Sequence, residues 1–263
     1  MNNLSDITDD FTFTNYKHIC SYLKSKYVLL SMEKYFSADI KNWKIYAIIR
    51  HDVDRYPSRA LKMARIENSL NIRSTYYFRT RTHVFRKDIL DEINSLNHEI
   101  GYHYENLADS NGRYEDAIKK FVIDLEKFRE WGIFPKTISM HGSPLSSYDN
   151  RDLWMHYNYK DYGIIGEAYE IDSDKIYYFS DTGMNFSNSK GNVRDKPKNI
   201  GKQVSNISTI TTLIRFLNVN DNPICISMHP DKWSLTKLGE LITRVENMLK
   251  NFIKYLVVKI RNN

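Results

Sequence analysis

Short runs of β-forming residues alternate with amphipathic segments of helical period along most of this chain, and this alternation restricts the possible folds. The run from Ile45 to Ile49 is almost wholly apolar, and the segment after Pro57 then carries apolar residues at helical spacing. The same order repeats through β-forming runs at 74–78, 98–103, 137–140, 176–179 and 223–228. Strands separated by helices pair in parallel through right-handed crossovers. The sequence therefore predicts an α/β fold.

Polar clusters occur at or directly after four of the predicted strands, and five of the eight histidines lie in them. In parallel α/β folds the C-terminal ends of the strands converge on one face, so these clusters become neighbours. The number of such ends favours a barrel over an open sheet. Imidazole and carboxylate groups together are the usual ligands of zinc and similar divalent ions. The clusters are 51–54, 98–105, 140–144 and 228–233.

The length of 263 residues fits one large domain, which we place at residues 44–263 behind an N-terminal helical extension at residues 1–43. No apolar run reaches the ~18 residues that cross a bilayer, and the first residues are polar and acidic rather than signal-like. We therefore expect a cytoplasmic protein without stable membrane insertion. Cys20 and Cys225 lie in no metal-binding or redox motif and are expected to be buried thiols.

The 38 basic residues against 32 acidic ones give a net charge of +6. The basic residues are spread along the chain, which favours a solvated surface over a nucleic-acid site. The surplus positive charge is also compatible with a phosphate-bearing small molecule. No nucleic acid is therefore expected as a partner, and the oligomeric state is left open.

Two pairs of residues can be assigned to faces of their strands from spacing alone. Asp52 and Asp54 are two residues apart, so they face the same side of a strand and can share a site. His98 and His103 are five residues apart, so they face opposite sides. We expect His103 to lie in the site and His98 to be structural.

The segment from Ile48 to Trp233 resembles the polysaccharide deacetylases with a NodB homology domain. In that family an aspartate pair precedes a helix and an Ala-Thr-Phe-Phe strand, as Asp52 and Asp54 precede a helix and the run 74–78. A second motif beginning Gly-His-Glu-Ile-Gly-x-His is matched by residues 97–103, and a final strand ending in histidine is matched by 224–229. The resemblance implies a metal-dependent hydrolase on a distorted (β/α)7 barrel.

The chain departs from the family pattern at three places. Val53 separates the two aspartates, which are usually adjacent, and this variant resembles deformylases that act on lipid-linked aminoarabinose. Leu107 stands where the second motif usually supplies another metal-binding histidine. His141, which stands in place of the family's Arg-Pro motif, is the leading candidate for the missing ligand. The alternatives are Glu105, and then His51 or a water molecule.

The resemblance also implies roles for individual residues. Asp54, His103 and His141 would bind a divalent metal, most readily zinc, while Asp52 would act as general base and His229 as general acid. For Asp181 the options are a sugar hydroxyl, the orientation of a histidine, or a structural turn. Arg194 would pair with Asp52 or bind a phosphate or carboxylate, the alternative being a surface salt bridge.

The implied activity is removal of an N-acetyl or N-formyl group from an amino sugar. A nucleotide-linked or lipid-linked intermediate of surface polysaccharide synthesis is the expected substrate, because the predicted cytoplasmic enzyme would meet such a molecule before any finished polymer. The missing ligand at Leu107 supports an alternative, in which an inactive barrel serves as a carbohydrate-binding protein.

Overall fold

The protein is described from a computed structural model that covers residues 8–38, 45–142, 146–186, 197 and 207–261, with side chains up to residue 249. The strands are β1 (Val28–Leu30), β2 (Tyr46–Val53), β3 (Thr75–Phe78), β4 (Glu99–Tyr104), β5 (Thr137–Met140), β6 (Gly166–Glu167), β7 (Tyr177–Ser180) and β8 (Ile224–Met228). The helices are α1 (Phe13–Lys26), α2 (Met32–Ser37), α3 (Pro57–Ser69), α4 (Lys87–Ser95), α5 (Asn106–Asp109), α6 (Tyr114–Arg129), α7 (Ile210–Val219) and α8 (Lys237–Arg261).

The strands form one parallel sheet that curls into a half-barrel. Seven of them follow the order β6-β5-β4-β3-β2-β8-β7, and β1 pairs with β2 outside this path. Every residue of β2, β3, β4, β5 and β8 is buried, as expected for strands covered on both faces. The predicted fold class, an α/β fold related to a distorted (β/α)7 barrel, is confirmed.

Strand β2 extends beyond the apolar run that marks it in the sequence. The apolar run ends at Ile49, but the strand continues through Val53 and buries Arg50, His51 and Asp52 completely or almost so. This is possible because each charge has a partner: Arg50 pairs with Asp52 on one face of the sheet, and His51 pairs with Glu67 of α3 on the other. Buried charges are tolerated when they are paired in this way.

The N-terminal segment contributes to the sheet as well as to the helical layer. Helix α1 begins after its N-cap Thr12, whose side chain accepts a hydrogen bond from the Asn15 backbone. Strand β1 then pairs with β2 from Val28 to Leu30. The predicted boundary at residues 43 and 44 stays a prediction, since residues 39–44 lie outside the described ranges.

Gly101 of β4 allows a neighbouring ring to approach the sheet closely. A Cβ atom at this position would collide with the ring of Tyr77 and come within 2.8 Å of the Thr137 carbonyl oxygen. Glycine therefore permits Tyr77 to pack on β4 two residues before His103.

The buried carboxylate of Glu67, in α3, makes hydrogen bonds to side chains of α1 and of the sheet. One oxygen of Glu67 accepts a hydrogen bond from the Tyr16 hydroxyl at 2.6 Å and lies 2.9 Å from His51 Nε2. The other accepts from the hydroxyls of Ser74 and Tyr76, both at 2.6 Å. Burial opposes ionisation of Glu67, but His51 and these donors outweigh it and lower the pKa of Glu67 to about 2.

We expect Glu67→Gln to lower the free energy of unfolding at pH 7 and to flatten its dependence on acid pH. Because the folded pKa is below the ordinary value of 4.5, the ionised Glu67 stabilises the fold fully above about pH 4.5 and progressively less as the pH falls toward 2. This lowering of the Glu67 pKa on folding corresponds to about 3 kcal/mol of the free energy of unfolding at pH 7. Urea denaturation of wild type and Glu67→Gln at pH 7, 4.5 and 3 measures the free energy of unfolding, with the exposed Glu115→Gln as control. Equal acid slopes for wild type and Glu67→Gln would contradict this account.

In the part of the chain that the structure describes, none of the helices is both long enough and apolar enough to span a membrane.

Candidate active site at the strand ends

The predicted site residues come from the C-terminal ends of four strands. Asp52 lies near the end of β2 and Asp54 directly follows it, His103 lies near the end of β4, His141 follows β5 and His229 follows β8. Because all these strands are parallel, the ends meet at one edge of the sheet. The side chains are largely withdrawn from water, and His103 is only 2% exposed.

Asp54 faces two imidazoles. Its Oδ1 atom lies 3.3 Å from Nε2 of His103 and 3.4 Å from Nε2 of His141, and the two rings are edge-on to each other with centroids 5.2 Å apart. Burial opposes the charge of Asp54, but His141 and His103 outweigh it and hold the pKa of Asp54 well below its ordinary value. Burial likewise opposes protonation of His103, while Asp52 and Asp54 raise the pKa of that ring.

The donor atoms of this cluster fit a divalent cation. His103 Nδ1 lies 2.9 Å from the Ser139 carbonyl oxygen, which can only accept, so Nδ1 carries the proton and a neutral ring turns its Nε2 lone pair toward Asp54. Asp54 Oδ1 is buried without a hydrogen-bond partner. Ligands of a tetrahedral zinc at ~2.0–2.1 Å stand about 3.3–3.4 Å apart, which is the spacing seen here. A cation between these atoms would be bound by the Nε2 lone pair of His103 and by the unpartnered Asp54 Oδ1.

The three side chains of the cluster are not yet arranged around a common metal position. Among the described residues, no group of three or more His, Cys, Asp or Glu side chains is arranged so that it could hold a metal ion as it stands. Each imidazole meets Asp54 at a suitable distance, so Asp54, His103 and His141 are the residues that would have to converge on one ion. His141 is the more exposed of the two, with 15% of its side chain accessible, and is therefore the ring with more room to move.

Glu105, the competing ligand candidate, is engaged elsewhere. It receives two hydrogen bonds from Arg79, at 2.9 and 2.7 Å, and a third from Arg81 at 2.7 Å. Burial opposes its ionisation, but His141 and the two arginines keep the pKa of Glu105 far below its ordinary value. Its Oε2 atom lies 3.2 Å from His141 Nδ1, so Glu105 is placed to orient His141, as carboxylates behind metal-bound histidines do.

His51 and Leu107 lie outside the cluster. His51 points to the opposite face of β2, where it contacts Glu67. Leu107 is a buried apolar residue of α5 and offers no ligand atom. His98 is directed into the helical layer, with Nε2 3.0 Å from the Ala64 carbonyl oxygen, and its backbone precedes β4.

Asp52 is held by a residue that the sequence analysis did not single out. Arg50 donates to Asp52 Oδ2 at 2.9 Å, and also contacts Ser139 Oγ at 3.1 Å and the Tyr178 hydroxyl at 3.2 Å. The Ser227 hydroxyl lies 3.4 Å from the same Asp52 oxygen. Asp52 Oδ1 is buried without a hydrogen-bond partner, so one oxygen is fixed and the other can receive a proton. The period-two spacing that relates Asp52 to Asp54 also relates it to Arg50.

His229 is oriented by a fully buried carboxylate. Asp181 Oδ1 lies 2.7 Å from His229 Nδ1, and both carboxylate oxygens accept from the His229 backbone N–H at 3.0 Å. Trp233 Nε1 donates to Asp181 Oδ2 at 2.8 Å. These are the contacts expected of a carboxylate that orients a histidine, one of the roles predicted for Asp181. Arg194, the other predicted substrate-binding residue, lies outside the described residues.

Comparison with known proteins gives limited similarity. No protein-family model matches the chain, and no curated protein matches it. Among solved structures, it is similar to a CE4 family pseudoenzyme from Bacillus anthracis, at 13% identity and a TM-score of 0.45, over 80% of this chain and 62% of that one. A CE4 esterase from Streptococcus mutans shares 13% identity with a TM-score of 0.49, over 91% and 90% of the two chains. The chain thus spans about three fifths of the length of the Bacillus anthracis protein.

Proposed function

We propose that the chain is a metal-dependent hydrolase that removes an N-acetyl or N-formyl group from an amino sugar. The observation that carries this proposal is one carboxylate, Asp54, facing two imidazoles at 3.3 and 3.4 Å beside a second carboxylate, Asp52, that is held separately. Metal-dependent amide hydrolysis needs both groups, one to bind the ion and one to take a proton from water.

Asp54, His103 and His141 would hold the ion, with zinc the best match to two imidazoles and one carboxylate. When bound, such an ion supplies Lewis acidity toward the acyl oxygen and lowers the pKa of water. The side chains of the protein must then transfer two protons, one from the attacking water and one to the leaving amine, and keep other water molecules out of the site. The burial of Asp52 and His103 serves the second purpose, because only 1% and 2% of these residues are accessible.

Asp52 is the base in this proposal. As the water oxygen bonds to the acyl carbon, its proton passes to Asp52 Oδ1, the oxygen that Arg50 does not hold. Arg50 prevents rotation of the carboxylate, so the accepting oxygen stays directed at the same point.

His229 completes the reaction as the acid. Its Nδ1 is bound to Asp181, so the proton to be donated is on Nε2. This proton goes to the amine nitrogen as the carbon–nitrogen bond breaks. The buried Asp181 stabilises the charged imidazole that must be present before the transfer, as a carboxylate behind a catalytic histidine does.

A phosphate-linked sugar is the substrate we propose, in the form of a nucleotide-linked or lipid-linked intermediate. The net charge of +6 favours an anionic molecule. The arginines that follow the ends of β2 and β3 lie at the edge that carries the site, and Arg55 among them is exposed. Arg79 and Arg81, after β3, are bound to Glu105, so the exposed Arg55 is the arginine available to select an anionic substrate.

The proposal is tested by metal content and acyl release together. The purified protein should retain about one divalent ion per chain by plasma mass spectrometry and release acetate or formate from an N-acylated, phosphate-linked amino sugar. Chelation should abolish the release, and zinc should restore it. A protein that holds no ion and releases no acyl group, but still binds sugar, would instead be an inactive carbohydrate-binding barrel.

A further inference from the structure

Helix α8 turns its apolar side chains away from the domain. Its polar residues Glu240 and Thr243 are buried, whereas six apolar residues remain 48% to 68% exposed. A helix on the surface of a globular protein normally has the opposite arrangement, with its apolar stripe toward the core. The exposed set, which we call the apolar face of α8, consists of Leu238, Leu241, Ile242, Val245, Met248 and Leu249. A contiguous apolar surface of this kind marks an interaction site.

Polar contacts with the domain fix this orientation of the helix. The Thr243 hydroxyl oxygen lies 3.2 Å from that of Ser234 and 3.5 Å from a guanidinium nitrogen of Arg59. Asn247 Oδ1 accepts a hydrogen bond from the Lys232 ammonium group at 3.1 Å. Rotation of α8 to bury its apolar face would break these contacts and leave their partners facing apolar side chains, which is unfavourable.

The sequence continues the same pattern through the rest of α8, which extends to Arg261. Apolar residues recur at helical spacing at positions 252, 253, 256, 257 and 260. Residues 250–263 contain no acidic residue and four basic ones, Lys250, Lys254, Lys259 and Arg261. A helix of 25 residues is about 37 Å long. An amphipathic helix with a surplus of basic residues is typical of proteins that bind at a membrane surface.

The charges of α8 favour an anionic surface over a second copy of the chain. In a parallel pair of α8 helices, the two basic halves would lie side by side and repel each other. In an antiparallel pair, each basic half would lie along residues 237–249, where two basic and two acidic residues cancel. The apolar face is also wider than the seam of a two-stranded coiled coil, since Leu241 and Met248 flank the seam positions. An anionic lipid surface would attract all four basic residues of the second half.

The contact between α8 and the domain lies next to the candidate active site. Lys232, which binds α8, ends the short 3-10 helix Pro230–Lys232 that directly follows His229. The carboxylates of Asp181 and Asp54 lie within electrostatic range of Lys232. A surface bound by α8 would therefore lie near the edge of the sheet that carries the site.

We propose that α8 binds the surface of an anionic lipid bilayer, with its apolar face in the headgroup region and the domain above it. The helix then lies in the plane of the interface rather than across the bilayer. Docking by itself does not depend on the reaction that the protein carries out. Together with the proposed function, on which this further step rests, it narrows the substrate to the lipid-linked form, whose sugar is held at the same surface.

Sedimentation of the full chain with lipid vesicles tests the inference. The vesicles consist of phosphatidylcholine alone or with about one third phosphatidylglycerol, which makes their surface anionic. We expect at least ~10-fold tighter binding to the anionic vesicles, because each basic residue near such a surface contributes roughly fivefold. An increase in NaCl from about 0.1 to about 0.5 M should weaken this binding, since salt screens the surface charge.

The double variant Leu241→Gln/Leu249→Gln removes two apolar side chains from the face without changing the net charge. Its binding to anionic vesicles should fall by at least ~10-fold, because less apolar area leaves water on docking. The matched control Ile123→Gln/Val219→Gln replaces two exposed apolar residues of α6 and α7 and should bind as the wild type does. All four positions are exposed, so both variants should fold, as circular dichroism can verify.

Absence of vesicle binding by the wild type, or equal binding to neutral and anionic vesicles, would overturn the inference without the use of any variant. Wild-type binding by folded Leu241→Gln/Leu249→Gln would overturn it as well. A dimer in light scattering that this variant dissociates and the control does not would show that a second copy covers the face, and would also overturn it. Sedimentation requires no turnover, so an inactive protein that binds anionic vesicles refutes the proposed function alone, and an active one that does not bind them refutes docking alone.

Discussion

Replacement of His103 by alanine is expected to weaken divalent-metal binding by more than ~100-fold and to abolish acyl release. Loss of a residue that only supports a metal ligand commonly costs 10- to 100-fold in affinity, so loss of a ligand should cost more. His103 is the better fixed of the two imidazoles, because the Ser139 carbonyl holds its Nδ1 atom and directs Nε2 at Asp54. The metal content of the purified variant, by plasma mass spectrometry, gives the direct measurement.

The matched control is His83→Ala, which removes an exposed histidine that takes no part in the described contacts of the Asp54–His103–His141 cluster. It should leave metal content and acyl release as in the wild type. Circular dichroism separates the loss of a ligand from loss of the fold, since His103 is buried. Wild-type metal content in a folded His103→Ala variant would exclude the Asp54–His103–His141 cluster as the metal site.

The positions of the site residues could be predicted because they depend on two simple regularities. Side chains two residues apart share a face of a strand, and parallel strands end at the same edge of a sheet. These rules bring Asp52, Asp54, His103, His141 and His229 to one edge, where the structure has them.

Arg50 was missed because the apolar run that marks its strand ends at Ile49. A charged residue after an apolar run normally indicates a loop, and the run Arg50-His51-Asp52 contains three ionisable residues. Only the partners that arrive from elsewhere, Glu67 for His51 and Asp52 itself for Arg50, make this stretch stable inside a sheet. Burial of charge depends on tertiary pairing, which the local sequence does not show.

The sequence leaves the choice between His141 and Glu105 open for a similar reason. Both residues follow strands at the same edge, and both are common zinc ligands. Two arginines from the segment after β3 bind Glu105, so that its oxygens are already engaged. The positions of Arg79 and Arg81 depend on the packing of β3 against β4, which the sequence around Glu105 does not reveal.

The shortest elements were also missed. Strand β6 has two residues and β1 has three, too few for any alternation to be recognised. β6 nevertheless matters for the site, because Glu167 within it binds the backbone of Met140 next to His141. Burial of the Glu167 carboxyl group raises the pKa of Glu167 to about 7, so this group changes charge near neutral pH.

The isosteric pair Asp52→Asn and Asp54→Asn should separate the base from the metal ligand. We expect Asp52→Asn to keep its metal and to lower kcat by about 10²- to 10⁴-fold with little change in KM, the usual effect of removing a general base. The amide oxygen can still accept a hydrogen bond from Arg50, so the side chain keeps its place while losing the ability to take a proton.

Asp54→Asn should instead lose the metal, because a neutral amide replaces the one carboxylate that faces both imidazoles. Metal content and kcat, measured on both variants with zinc in excess, distinguish the two roles. Loss of metal from Asp52→Asn with retention in Asp54→Asn would reverse the assignment. Retention of wild-type kcat by Asp52→Asn would mean that the proton of the attacking water goes elsewhere, and Arg50 would then hold a structural carboxylate.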